Sequence, residues 1–163
     1  MDKYDFDLSI FRVRARGFFT KGRVDDALDL YGDILKFSPD DAMTYADRGT
    51  AYAMMQMSDL ALSDLNRAIE LGYTDASIYC TIATIYLEMG DFSKSLECFK
   101  ISLEINQKNP FAYYNRASLY EKMGDFTSAI SDLRKVLIYD PDAKLKNRIE
   151  ERISQLGFDK LAD

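Results

Sequence analysis

The chain has 163 residues, of which 47% are hydrophobic and 29% charged, a balance that excludes an intrinsically disordered protein. Its 21 basic and 27 acidic residues leave a net charge of −6, which argues against nucleic acid or an anionic membrane as partner, since both select a basic face. Histidine is absent and only Cys80 and Cys98 carry thiols, so His-centred triads, His metal sites, four-cysteine zinc sites and disulfide frameworks are all excluded.

The chain opens on the acidic stretch Met1-Asp2-Lys3-Tyr4-Asp5-Phe6-Asp7, and Arg12, Arg14, Arg16, Lys21 and Arg23 interrupt every apolar run that follows. Neither a signal peptide nor a membrane span is expected. With so few cysteines, the expectation is a cytoplasmic protein in a reducing compartment.

From Leu8 onward the sequence repeats with a period of thirty-four residues. Phe11, Tyr45, Tyr79 and Tyr113 are spaced by that period, as are Phe18, Tyr52, Tyr86 and Tyr120. The units are Leu8–Asp41, Ala42–Asp75, Ala76–Asn109 and Pro110–Ala143. Two further columns are small throughout: Ala15, Gly49, Ala83 and Ala117, then Ala27, Ala61, Ser95 and Ala129. Small residues let two helices approach closely, while the rings fill the space beside the contact. Large apolar residues (Tyr31, Leu65, Phe99, Leu133) continue one face of the second half of each unit.

Each unit breaks in its middle. Gly22 supplies the break in the first unit, and Gly90-Asp91 and Gly124-Asp125 supply it in the third and fourth, a glycine for a left-handed helix end and an Asp to cap the next helix. The second unit has Gln56-Met57 instead, which predicts a strained or reshaped turn with Ser58 or Asp59 as cap. Every unit therefore reads as helix A, tight turn, helix B. After the fourth unit, Leu145, Ile149, Ile153 and Leu156 share one helical face, and residues from about 142 to 156 are expected to form a capping helix followed by a short tail to 163. The whole is expected to form a single domain.

These columns resemble the tetratricopeptide repeat (TPR) family, over residues 8–143. Phe or Tyr stands where the family has Trp, and the family's Pro survives only as Pro39 and Pro141. The resemblance implies an all-α fold, a right-handed α-solenoid of antiparallel helix hairpins, used as a non-catalytic module for binding another protein or peptide. Its A helices would line a concave groove. The first unit contributes Arg12, Arg16 and Phe19 to that lining, and the second Asp47, Thr50 and Met54. The third contributes Thr81 and Thr84, and the fourth Phe111, Tyr114, Asn115 and Ser118. Such a lining suits a peptide that offers backbone polar groups and a few apolar anchors.

The carboxylate clamp of chaperone-binding relatives is disfavoured. Reading its positions from the first unit gives Arg12, Arg16, Asp47, Ser77 and Thr81, and from the second Ala46, Thr50, Thr81, Phe111 and Asn115. Asp47 would repel a carboxylate, though Arg12 and Arg16, one turn apart, remain candidates to hold an acidic group. No catalytic, cofactor or metal site is expected, because the sequence offers no convergent nucleophile and base, no phosphate loop and no ligand cluster.

Arg48 and Arg116 occupy a core column, and Asp64 and Asp132 occupy a second column in the same two units, where the third unit has Ile82 and Cys98. The coupled substitution predicts a partly buried Arg–Asp pair bridging helices A and B. Arg14 lacks that mate and is expected to pair with Asp29 or a neighbouring repeat. Cys80 is expected to face the groove and Cys98 the repeat interior. The alternative to a peptide-binding adaptor is a self-assembling protein, a homo-oligomer that buries Phe6, Ile10 and Phe19 against another copy.

Overall fold

The computed structural model describes residues 8–140 and 143–159, with side chains in the last helix described from 146 to 157. Among these residues every regular element is an α-helix: α1 (Leu8–Thr20), α2 (Val24–Phe37), α3 (Ala42–Met54), α4 (Ser58–Glu70), α5 (Ala76–Glu88), α6 (Phe92–Ile105), α7 (Pro110–Lys122), α8 (Phe126–Tyr139) and α9 (Ala143–Asp159). The chain divides into two compact units that meet in sequence at Thr74 and Asp75. The first holds the hairpins α1–α2 and α3–α4; the second holds α5–α6, α7–α8 and α9. The expected start of the capping helix at Asp142, the tail beyond Asp159 and Phe6 lie outside the described residues. Helix α9 runs past the expected end at Leu156.

The four intrahairpin turns share one geometry. Gly22, Gln56, Gly90 and Gly124 have φ of 76°, 60°, 80° and 77°. The next amide in each case (Arg23, Met57, Asp91, Asp125) donates to the carbonyl five residues back (Phe18, Tyr52, Tyr86, Tyr120) at 2.9 Å. This is the glycine-type helix stop in which a left-handed residue turns an amide back onto an orphan carbonyl. Gln56 adopts it at the steric cost a Cβ imposes, so the reshaped turn keeps the length of the other three.

That geometry corrects the expected cap of α4. Because the turn is not shortened or lengthened, the capping position falls on Met57, not Ser58 or Asp59, and Met57 makes no side-chain capping bond. Where the equivalent residue is Asp91 or Asp125, its carboxylate accepts from the amide of Lys94 or Ser128. The side chains of Lys94 and Ser128, and then these amides, hydrogen-bond the two carboxyls and hold them below the usual carboxylate range. Between hairpins, Asp41, Asp75 and Asn109 cap α3, α5 and α7.

The small columns are the closest helix contacts. Ala15, Ala27, Ala61, Ala83, Ser95, Ala117 and Ala129 are fully buried. Ser95 satisfies its hydroxyl on the Ala83 carbonyl at 2.7 Å, so a polar residue is tolerated in the column. At Gly49 an added Cβ would lie 2.8 Å from Leu65 Cγ and 3.1 Å from the Leu65 amide nitrogen. Gly49 is therefore a packing requirement, since its helical backbone needs no glycine.

In the first unit the core gathers Ala15, Ala27, Tyr31, Ile34 and Ala51, with Phe11, Phe18 and Phe19 packed against it. Burial, then the charge of Asp47, pushes the Tyr31 hydroxyl up to about 12. The second unit builds a larger core around Phe99, Leu119, Leu133 and Val136, which α9 joins through Ile149 and Leu156.

Candidate functional site

The residues expected to pair do meet. Arg48 donates from Nε and Nη2 to Asp64 at 2.6 and 2.9 Å, and Arg116 does the same to Asp132 at 2.7 and 2.9 Å. Each guanidinium also lies between two rings of its own helix, Arg48 between Tyr45 and Tyr52 and Arg116 between Tyr113 and Tyr120, 5.6–5.9 Å from the centroids. Hydrogen bonding to Asp64 raises Arg48; at Arg116 burial pulls downward, and the bonds and charge of Asp132 overcome it. These groups tie helix A to helix B and do not face a ligand. Arg14 departs from expectation: it stacks on Phe18, 5.3 Å from the ring centroid, and makes no ion pair with Asp29.

On the A-helix side of the first unit, both candidate arginines are engaged by the protein's own acids. Arg12 Nη1 donates to Asp41 at 2.6 Å, and Arg16 donates from Nε and Nη2 to Asp47 at 2.9 and 2.7 Å. The Asp47 hydrogen bond raises Arg16, while burial lifts Asp47 itself above the usual carboxylate range in spite of that partner. Arg12 and Arg16, candidates to hold an acidic group, thus meet acids of the chain itself, Asp41 at the cap of α3 and Asp47 within it. Phe19 packs on the core cluster of its unit, whereas Ile10 is 65% exposed and Met54 68%.

The hydroxyls on this side donate into their own helices. Thr50 donates to the Ala46 carbonyl, Thr81 to Ser77, Thr84 to Cys80 and Ser118 to Tyr114, at 2.8–3.3 Å. Their oxygens are thereby left as acceptors: Thr84 accepts from Asn115 and Ser118 from Arg152, while those of Thr50 and Thr81 suit the N–H groups of an incoming chain. Asn115 reaches from α7 to Thr84 Oγ1 at 3.5 Å and to Cys80 Sγ at 4.0 Å. This contact corrects the placement of Cys80, which is buried beneath Asn115 and does not face a groove. Burial raises both thiols, with Glu97 adding to the effect at Cys98, so neither is a poised nucleophile. Among the described residues no group of acids and cysteines has the geometry to hold a metal ion.

Sequence reasoning missed the contribution of α9. Arg152 donates from Nε to Glu121 at 2.7 Å and from Nη2 to Ser118 at 2.8 Å, and lies 4.9 Å over the Tyr114 ring. Extending the period by one more unit would have revealed it, because Arg152 follows Ser118 by 34 residues. Two cavities of about 220 Å³ border Tyr114. One lies toward Phe111, which is 73% exposed; the other lies toward Arg148 and Arg152.

Comparison with known proteins agrees with this construction. A tetratricopeptide repeat model matches residues 110–143, and a second TPR repeat model matches residues 83–124. The chain superposes on the crystal structure of MamA protein with a TM-score of 0.76 at 22% identity, covering 91% of this chain and 79% of that one. The TPR domain of Arabidopsis OM64 gives 0.64 at 24% identity, with coverages of 70% and 94%. YrrB, described as a TPR protein with an unusual peptide-binding site, gives 0.68 at 18% identity, with coverages of 80% and 68%. The fold is the all-α repeat solenoid of these proteins, and residues 83–143 match tetratricopeptide repeat models.

Proposed function

We propose that this chain is a non-catalytic protein-interaction module that binds an extended or helical peptide segment of a partner protein on the A-helix side of its hairpins. The observation that carries the reading is the lining itself. In the first unit Thr50 donates to its own helix and Met54, one turn on, is exposed; in the second Thr81 donates to its own helix and Phe111 is exposed. The TPR family is in general a non-catalytic interaction module, and raised, buried thiols add nothing nucleophilic. No helix among the described residues is long and apolar enough to cross a membrane; free Cys80 and Cys98 fit a reducing, cytoplasmic setting.

Proteins retained by the tagged chain from its source cell, identified by mass spectrometry, would supply partner segments for direct binding measurements. Binding that weakens in Met54→Asp and in Thr81→Lys is the expected outcome; both side chains lie away from the buried cores. Binding unchanged in both variants overturns the reading. Self-assembly remains the second reading, carried by exposed Ile10 and Val13 on α1. Light scattering across a dilution series separates the two, since a constant mass near 18.7 kDa rejects an oligomer.

A further inference from the structure

We infer that the α7–α9 surface takes a peptide segment in which a large apolar side chain neighbours an acidic one, the two lodging in the two cavities that Tyr114 borders. The inference rests on the peptide-binding reading and names the chemistry of the partner.

The first cavity is apolar. Pro110, Phe111 and Tyr114 form its walls, Val136 its floor and Asp140 its rim. Its volume of about 220 Å³ suits one or two side chains and falls short of the usual small-molecule pocket, roughly 300–1,000 Å³. Phe111 leaves most of its ring in water, and an apolar side chain seated beside it would remove that ring from solvent.

The second cavity, which Tyr114 also borders, is polar and lined by Arg148, Glu151, Arg152 and Gln155. Arg152 is already fixed by Glu121, Ser118 and the Tyr114 ring, so its remaining N–H groups are aimed without further ordering cost. Arg148 lies one helical turn before it, is exposed, and makes no ion pair among the described residues. An acidic side chain entering here would meet one preorganised guanidinium and one uncompensated charge. Asp140 lines the apolar cavity and disfavours an acid there, whereas two arginines against one lining acid, Glu151, favour it on the α9 side: the acid belongs beside α9 and the apolar residue beside α7.

The test uses the full chain and a displayed library of short random peptides, followed by fluorescence anisotropy of enriched peptides synthesised with amidated C-termini. The expected ligands carry Asp or Glu within two positions of Phe, Leu, Ile or Met. Their affinity should fall about ten-fold or more in Arg148→Glu and in Phe111→Ser, and change little in Arg148→Lys. Circular dichroism of each variant checks folding. Ligands without this signature, or affinities unchanged in both Arg148→Glu and Phe111→Ser, overturn the inference and leave peptide binding elsewhere standing. Enriched peptides that bind only with a free C-terminus overturn it in favour of a terminal carboxylate. A dimer that dissociates in Phe111→Ser overturns it by giving the face to a second copy. No enrichment at all overturns both readings.

Discussion

Asp132 accepts two parallel hydrogen bonds from Arg116 across the α7–α8 hairpin, and Asp64 accepts the same two from Arg48 across α3–α4. In the hairpin between them the positions hold Ile82 and Cys98, and in the first hairpin Arg14, stacked on Phe18, and Leu30, so a buried Asp at the second position occurs only with its Arg. Removing one partner strands the other in a half-buried site. Asp132→Ala is expected to cost about 3–5 kcal/mol in chemical denaturation. The double variant Arg116→Ile/Asp132→Cys, which copies the third repeat, should recover most of that loss. A single-variant cost below about 1 kcal/mol would show the pair to be dispensable.

Gln56 occupies the left-handed position that three glycines fill in the other turns. Gln56→Gly should stabilise the first unit by about 1 kcal/mol, the cost of a Cβ in that region less the entropy a glycine adds to the unfolded chain. The midpoint of thermal unfolding should rise. A fall would mean the Gln56 side chain contributes more than its backbone costs.

Gly49 faces Leu65 with no room for a methyl group. Gly49→Ala should destabilise by about 1–3 kcal/mol despite the higher helix propensity of alanine. Leu65→Val in the same chain should lower the penalty of the added methyl. A stabilising Gly49→Ala in denaturant titrations would contradict the packing described for α3 and α4.

Tyr31 is 1% exposed and its hydroxyl is pushed up to about 12. Its ordinary value is near 10, so the folded state holds this proton more tightly than the unfolded chain does. The stability it contributes is complete below about pH 10 and is lost as pH rises from there toward 12, amounting to about 2–3 kcal/mol at the upper end. Tyrosinate absorbance should show one group titrating late in the folded protein, and Tyr31→Phe should blunt the alkaline loss of stability.

The repeat register, the hairpins and the Arg–Asp pairs were legible because each column is written four times. Two columns that change together from Arg–Asp to Ile–Cys between the second, third and fourth repeats reveal a contact without coordinates, although Arg14 and Leu30 depart from the rule in the first. Features written once were not legible. Whether Cys80 faces solvent depends on how Asn115 lies across it, and column position alone does not carry that. Asp47, which meets Arg16, lies in the next hairpin at a column where the other repeats carry Val13, Thr81 and Asn115, and Asp41, which meets Arg12, shares its column with Asp75 and Asn109 and reads there as a helix cap. Arg152 was hidden because α9 buries Ile149 and Leu156, a face shifted from that of the other A helices, and so breaks the pattern by which they were recognised.

Arg12 and Arg16 begin already neutralised by Asp41 and Asp47. An acidic ligand arriving at α1 would therefore enter by exchange, releasing one internal carboxylate for each it replaces. The displaced carboxylate stays on the chain, so each site starts neutral and ends with one extra negative charge; long-range attraction to this end would be weak, and shape and apolar contact would decide what stays.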